Sequence, residues 1–186
     1  GVPGLYAAGE AASGVFGANR VADAVTEMLV QGYKAGEVAA ARASEQTRVA
    51  SDDAAIERAV GVLEKLLSNQ GGIAVSEAID RLGEISDKAL GMVRNETTLR
   101  AGVEAFETLG AEMDGISLRG KSLRYNRELM QALAARNLLA CSRVAAKMAL
   151  ERRESRGLHL RDDYSYIDNE NWQVRQLAEL VNGEDK

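Results

Sequence analysis

Apolar residues recur with helical spacing over most of this chain, and one short run near its start breaks the rule. From about Arg20 to Ala43 they fall at Ala24, Met28, Leu29, Ala35, Val38 and Ala39, which predicts a helix. The polar, small-residue stretch ARASEQTRVAS then marks a boundary, and Asp52 with Asp53 offers an N-cap signal for a new unit. Its first helix is predicted to bury Ala55, Ile56, Ala59, Val60, Leu63, Leu66 and Leu67 and to stop at Asn69-Gln70-Gly71-Gly72. A second, capped by Ser76, turns Ile79, Leu82, Ile85, Ala89 and Val93 inward. A third, after Asn95, carries Leu99, Val103, Phe106, Leu109, Met113 and Ile116, the seam of an antiparallel bundle. The longest runs from about Ser122 to Ser155, with Leu129, Leu133, Ala140, Val144 and Met148 inward, Arg127, Arg136, Arg143 and Arg152 outward, and Gly157 as its C′ cap. The exception is Leu5-Tyr6-Ala7-Ala8, an apolar run that reads as a buried strand ended by Gly9 and Glu10.

These elements predict a mainly α fold: a three- to four-helix bundle preceded by one strand–loop–helix unit. Residues 1–43 form the leading unit, 52–157 the bundle and 158–186 a tail packing on the bundle. No shared repeat of roughly 20–50 residues appears, which argues against a solenoid.

Composition agrees with a folded, helical chain: 46% of the 186 residues are hydrophobic and there is a single proline. A formal charge of −5, with cations dispersed among acids, supplies no basic face for a phosphate backbone, so nucleic acid is not an expected partner. The one cysteine, Cys141, can form neither an internal disulfide nor a metal cluster; a reducing cytoplasm and an inert helix position are expected. No apolar run approaches the roughly 20 residues of a membrane span.

The candidate chemistry begins at GLYAAGEAASGVFGANR, residues 4–20. Gly9, Gly14 and Gly17 let the backbone approach a flat or phosphorylated ligand, Glu10 can accept hydrogen bonds from ribose hydroxyls, and Arg20 offers a fork of donors to a carboxylate. On spacing alone, a tight turn with a solvated arginine explains the same residues.

This segment, followed by a helix containing GYKAGE, resembles the last FAD-binding segment of the succinate dehydrogenase/fumarate reductase flavoprotein family, which includes L-aspartate oxidase and adenylylsulfate reductase. Far downstream, RNLLACSRVAAKMALERRESRGLHLRDDYSYIDNENW resembles that family's C-terminal helical domain. The two signatures lie in the family's order with a helical region between them.

The resemblance implies an FAD site to which Glu10 (adenosine ribose), Ala12, Ser13, Gly17 and Asn19 contribute, and a catalytic Arg20 that binds a carboxylate of a small dicarboxylate-like substrate beside the flavin. It implies no metal ligands in this chain. Phe16 stands where many members carry histidine, and Ala22 and Asp23 stand where they usually carry glycines, adding bulk and, at Asp23, negative charge near the flavin ring. The family's dinucleotide-binding turn and proton-transferring groups lie upstream of this segment. The chain is therefore expected to be the C-terminal portion of a longer FAD-dependent oxidoreductase that transfers hydride, inactive alone, with an incomplete FAD site.

The expected partners are that N-terminal FAD-binding portion and an iron–sulfur electron-transfer subunit. The expected location is cytoplasmic, peripheral on the membrane face through partner subunits. The competing reading is a helical subunit-interaction module without catalysis of its own. In the tail, Arg156, His159 and Arg161 are expected to anchor an interface, and Asp162 with Asp163 to form a salt-bridged turn beside Arg161. Arg119, Lys121, Arg124 and Arg127 form a basic stretch whose default explanation is a solvated helix face.

Overall fold

The computed structural model describes residues 2–12, 24–46, 50–181 and 184–185. The chain divides into two compact units, Gly1–Asp53 and Ala54–Lys186.

The first unit contains a 3₁₀ turn, Gly9–Ala11, and helix α1, Ala24–Glu45. Residues 5–8 form no strand. Ala8 has extended backbone angles (φ −145°, ψ 156°), but a strand exists only by pairing, and no described residue offers these amides a ladder.

The second unit is built on helices α2 (Asp53–Ser68), α3 (Val75–Ala89), α4 (Glu96–Met113) and α5 (Arg127–Glu151), with α3, α4 and α5 packed on one another. Its core joins Leu82, Ala89, Phe106, Leu109, Met113, Leu129, Ala132, Ala135, Leu139 and Ala146. Only the last turns of α2 reach this core. Leu66 is buried and Leu63 and Leu67 pack beside it, whereas Ile56 and Val60, expected inside, are exposed.

Local chemistry explains the helix starts. Asn95 caps α4 with a capping box: its Oδ1 accepts the Thr98 N–H at 2.9 Å while Thr98 Oγ1 accepts the Asn95 N–H at 3.2 Å. Asn126 caps α5, accepting the Leu129 N–H at 2.9 Å. Helix α3 starts one residue before Ser76, with Ala74 at its N-cap and no side-chain cap.

Two predicted faces shift. The buried seam of α5 is Leu129, which was expected inward, with Ala132, Ala135, Leu139, Ser142, Ala146 and Ala149, while Ala140 is exposed and Leu133, Val144 and Met148 are partly buried. Small side chains let α5 lie close against its neighbours, so the contact line follows alanine and serine rather than the largest apolar residues. Val93 lies beyond α3 in strand β1 (Val93–Arg94), 60% exposed. This strand pairs in parallel with β2 (Leu160–Arg161), bringing the tail back beside the start of α4. Strands β3 (Leu180–Val181) and β4 (Glu184–Asp185) form a small antiparallel pair. Gly157 does not cap α5, which ends at Glu151. Its φ of +59° instead serves the tight reversal in which Arg156 and His159 exchange backbone hydrogen bonds.

Candidate functional site

Of the predicted FAD-site residues, only Glu10 and Ala12 fall among the described ones; Ser13, Gly17, Asn19 and Arg20 lie outside them. Glu10 sits within the 3₁₀ turn, and Ala12 closes it by donating its N–H to the Gly9 carbonyl at 3.0 Å. Gly9 has φ +67°, and a Cβ there would stand 2.7 Å from Met28 Cγ. The position therefore takes glycine for conformation and for room. The Gly9 N–H donates to Gln31 Oε1 at 2.7 Å, and Gln31 Nε2 donates to the buried Glu27 at 3.1 Å. Gln31 and Glu27, four residues apart on one face of α1, thus tie the turn to the helix that follows it. Neither was readable as functional, because a polar i, i+4 pair on a helix ordinarily faces solvent.

The better-defined cluster is in the tail. Glu154 is fully buried. Its Oε1 accepts from Arg152 Nη1 at 2.6 Å and Arg156 Nε at 2.8 Å, and its Oε2 accepts from Arg156 Nη2 at 3.0 Å and the Asp168 N–H at 2.9 Å. Burial acts to raise the Glu154 pKa, but these donors outweigh it and bring it down to about 2. The Arg152 guanidinium also lies over the Trp172 ring, 5.2 Å from its centroid.

His159 sits where three arginines converge. Arg94 Nη1 is 3.0 Å from its Nδ1, and its Nε2 is 3.3 Å from the Arg152 carbonyl oxygen. Because a guanidinium can only donate and a carbonyl only accept, Nδ1 is the acceptor and Nε2 carries the hydrogen. Burial, with the positive charges of Arg94, Arg161 and Arg152, lowers the His159 pKa despite that carbonyl contact.

Arg161, 2% exposed, closes the end of α5. Its Nη1 donates to the carbonyls of Ala149, Leu150 and Arg152 at 3.0, 3.2 and 3.3 Å, and its Nε and Nη2 grip Asp163 at 2.7 and 2.6 Å. The Arg161 hydrogen bonds hold the Asp163 pKa at about 2. Asp163, not Asp162, is thus the ion-paired member of the acidic pair. Arg161 was expected at an interface, yet it is satisfied inside its own unit: the last carbonyls of α5 lack helical partners and take its donors.

Every charged group of this cluster is engaged in a hydrogen bond or ion pair. Its chemistry is cohesion. Among the described residues, no group of three or more His, Cys, Asp or Glu could hold a metal ion, and Cys141 is exposed on α5. No described helix is long and apolar enough to cross a membrane.

The tail cluster falls inside residues 79–186, which match the family model described as the fumarate reductase flavoprotein C-terminus. This chain belongs to the succinate dehydrogenase/fumarate reductase flavoprotein family. It is 33% identical over 181 residues, 95% of its length, to a fumarate reductase flavoprotein subunit from Haemophilus influenzae, and covers 30% of that relative. Its fold matches the FrdA chain of E. coli quinol fumarate reductase with a TM-score of 0.87 at 26% identity, over 98% of this chain and 32% of that one. It also matches Mycobacterium smegmatis Sdh1, solved with UQ1, with a TM-score of 0.83 at 29% identity, over 88% of this chain and 28% of the other. The chain thus spans under a third of the relatives it matches. The mainly helical fold expected from the sequence is that of the matched family region.

Proposed function

We propose that this chain supplies the helical C-terminal part, one wall of the FAD site and the substrate-binding arginine of an FAD-dependent oxidoreductase acting on a small carboxylic acid. The observation that carries this reading is the 33% identity, sustained over 95% of the chain, to a protein named fumarate reductase flavoprotein subunit. In this reading residues 1–43 belong to the FAD-binding region, 52–157 form the bundle and 158–186 lock the tail to it. The parent protein would work in the cytoplasm, joined to an iron–sulfur electron-transfer subunit and held near a membrane by its partners.

The turn at Gly9–Ala12 suits such a cofactor. Gly9 has left-handed backbone angles, Ala11 and Ala12 are exposed with only methyl side chains, and the Gly9–Gln31 hydrogen bond holds the turn on α1. A flat ring or ribose can approach the backbone there without displacing bulky side chains. FAD, when bound, supplies the hydride acceptor or donor. Glu10 would accept hydrogen bonds from the adenosine ribose, Ala12, Ser13, Gly17 and Asn19 would line the cofactor, and Arg20 would grip a substrate carboxylate with two parallel N–H donors and hold it at the reacting distance.

The test is Arg20→Lys in the full-length protein. An ammonium cannot reproduce a planar fork, so turnover of the carboxylic acid falls while the purified protein keeps its yellow flavin. Equal loss of flavin and turnover refutes the role given to Arg20, and a colourless full-length wild type refutes the oxidoreductase reading. This chain alone, assayed in the same way, should show no turnover.

A further inference from the structure

The Gly9–Ala12 turn and helix α1 are separated in sequence by residues 13–23, and the chain is tied together across that stretch. Gly9 is buried, and a buried backbone N–H needs a partner. Residues 5–8 form no strand that could supply one. The partner is a side chain 22 residues further on: Gln31 Oε1 accepts the Gly9 N–H at 2.7 Å. The Gly9 carbonyl accepts the Ala12 N–H at 3.0 Å, so both polar backbone groups of Gly9 are committed.

Gln31 is itself held. A backbone N–H can only donate, so the amide oxygen of Gln31 must face Gly9, and its NH₂ is turned away. From there Nε2 donates to Glu27 Oε1 at 3.1 Å, one helical turn back on the same face of α1. Flipping the amide would set N–H against N–H and oxygen against oxygen at once, so Glu27 selects the orientation that receives Gly9. The bare backbone of Gly9 also fits against Met28, where a Cβ would lie 2.7 Å from Cγ.

This clasp matters for what lies between its ends. Ser13, Gly17, Asn19 and Arg20 all fall in the stretch of sequence that leaves the turn and leads into α1. A loop whose two ends are already fixed loses less conformational entropy on closing around a ligand than one whose ends are free. We propose that Gln31, oriented by Glu27, is a positioning residue for the cofactor: by clasping Gly9 to α1 it closes the ends of this segment before FAD arrives and so sets the affinity for FAD. Its role rests on the FAD-site reading above, to which it adds two residues that act through the backbone of Gly9 rather than by touching the cofactor.

In the experiment the full-length protein is produced without flavin in riboflavin-starved cells, and its Kd for FAD is measured by flavin fluorescence for wild type, Gln31→Met and Gln31→Glu. Methionine matches glutamine in length and helix propensity but offers Gly9 no amide oxygen. The expected result is a Kd raised at least about tenfold, the effect of losing one buried hydrogen bond. Glutamate keeps an oxygen for Gly9 but loses the donor to Glu27, so a smaller rise of about threefold or more is expected. In flavin-free Gln31→Met, amide hydrogen exchange over residues 5–12 should quicken while that of α4 stays as in wild type. Lower stability alone would not move the Kd, because a variant that is still fully folded keeps its intrinsic affinity. Wild-type affinity in folded Gln31→Met overturns the role of Gln31, and so does weakened binding with unchanged exchange over residues 5–12. If Gln31→Met does not fold, Gln31→Glu decides by the same two measurements. A wild type that binds no FAD refutes the FAD-site reading and this role with it, whereas equal FAD binding by wild type and variants refutes the role of Gln31 alone.

Discussion

Arg161 and Asp163 are joined by two hydrogen bonds of 2.7 and 2.6 Å, and together they bridge opposite ends of two helices. The arginine donates to the last carbonyls of α5, where the helix dipole favours a cation, while Asp163 Oδ2 accepts the Glu96 N–H at 2.7 Å in the first turn of α4, where it favours an anion. Arg161→Lys cannot serve three carbonyls and a carboxylate from one ammonium. It should lower unfolding stability by roughly 3 kcal/mol, whereas Asp163→Asn, partly exposed and able to keep accepting from Glu96, should cost about 1–2 kcal/mol. Urea denaturation of the chain checks both values, and equal costs would contradict the bridging role.

Glu154 is a buried anion stabilised by two guanidinium groups and the Asp168 N–H. Glu154→Gln preserves shape but leaves Arg152 and Arg156 facing a neutral amide whose NH₂ cannot accept. A loss of about 3 kcal/mol is expected, because breaking one side of a buried ionic network strands the other. Arg152 lies over Trp172, so near-ultraviolet circular dichroism of the indole should flatten in this variant before helix content falls.

Acid should loosen the tail in two stages. His159 has a folded pKa below its ordinary 6.5, so below pH 6.5 the unfolded chain takes up a proton that the folded one resists, and stability falls until the lower folded value is reached. Glu154 and Asp163 are held at about 2 against ordinary values of 4.5 and 3.8; their contribution is complete above about pH 5 and is lost as pH falls from there toward 2. Stability plotted against pH should therefore show a shallow decline beginning near 6.5 and a steep one below 4.5. His159→Gln should remove the first decline and leave the second, which a pH series of denaturation curves would resolve.

What could be seen beforehand follows from how local each signal is. The Leu99-to-Met113 stripe predicts α4, because a spacing of 3 and 4 is written within one helix. Of the α5 face, periodicity places Leu129 correctly and misses the rest, because five of its seven buried residues are alanine or serine, which carry little hydrophobic contrast. The tail resisted for a different reason. Arg161 and Glu154 are buried only because α5 carbonyls, Arg152 and Arg156 converge on them across the fold, and residue type alone places both on a surface. In the leading unit, LYAA has the composition of a strand, but composition cannot provide a neighbour to pair with.

Gly102 on α4 faces Ala89 at the end of α3: a Cβ there would overlap the methyl group of Ala89, itself 1% exposed in the core. Gly102 lies inside α4 and Ala89 is the last residue of α3, both held in the packed core, so Gly102→Ala must shift one helix against the other. Overpacking of this kind should cost about 2 kcal/mol, although alanine is the better helix former by nearly 1 kcal/mol. Ala89→Gly alone should cost about 1–2 kcal/mol through the lost methyl and the weaker propensity. Combining the two moves the methyl from α3 to α4 without adding volume, so the double variant should be more stable than the sum of the single losses predicts, by about 1 kcal/mol or more. Denaturation of all four chains completes the cycle. Strict additivity would mean that the two helices do not meet at this pair.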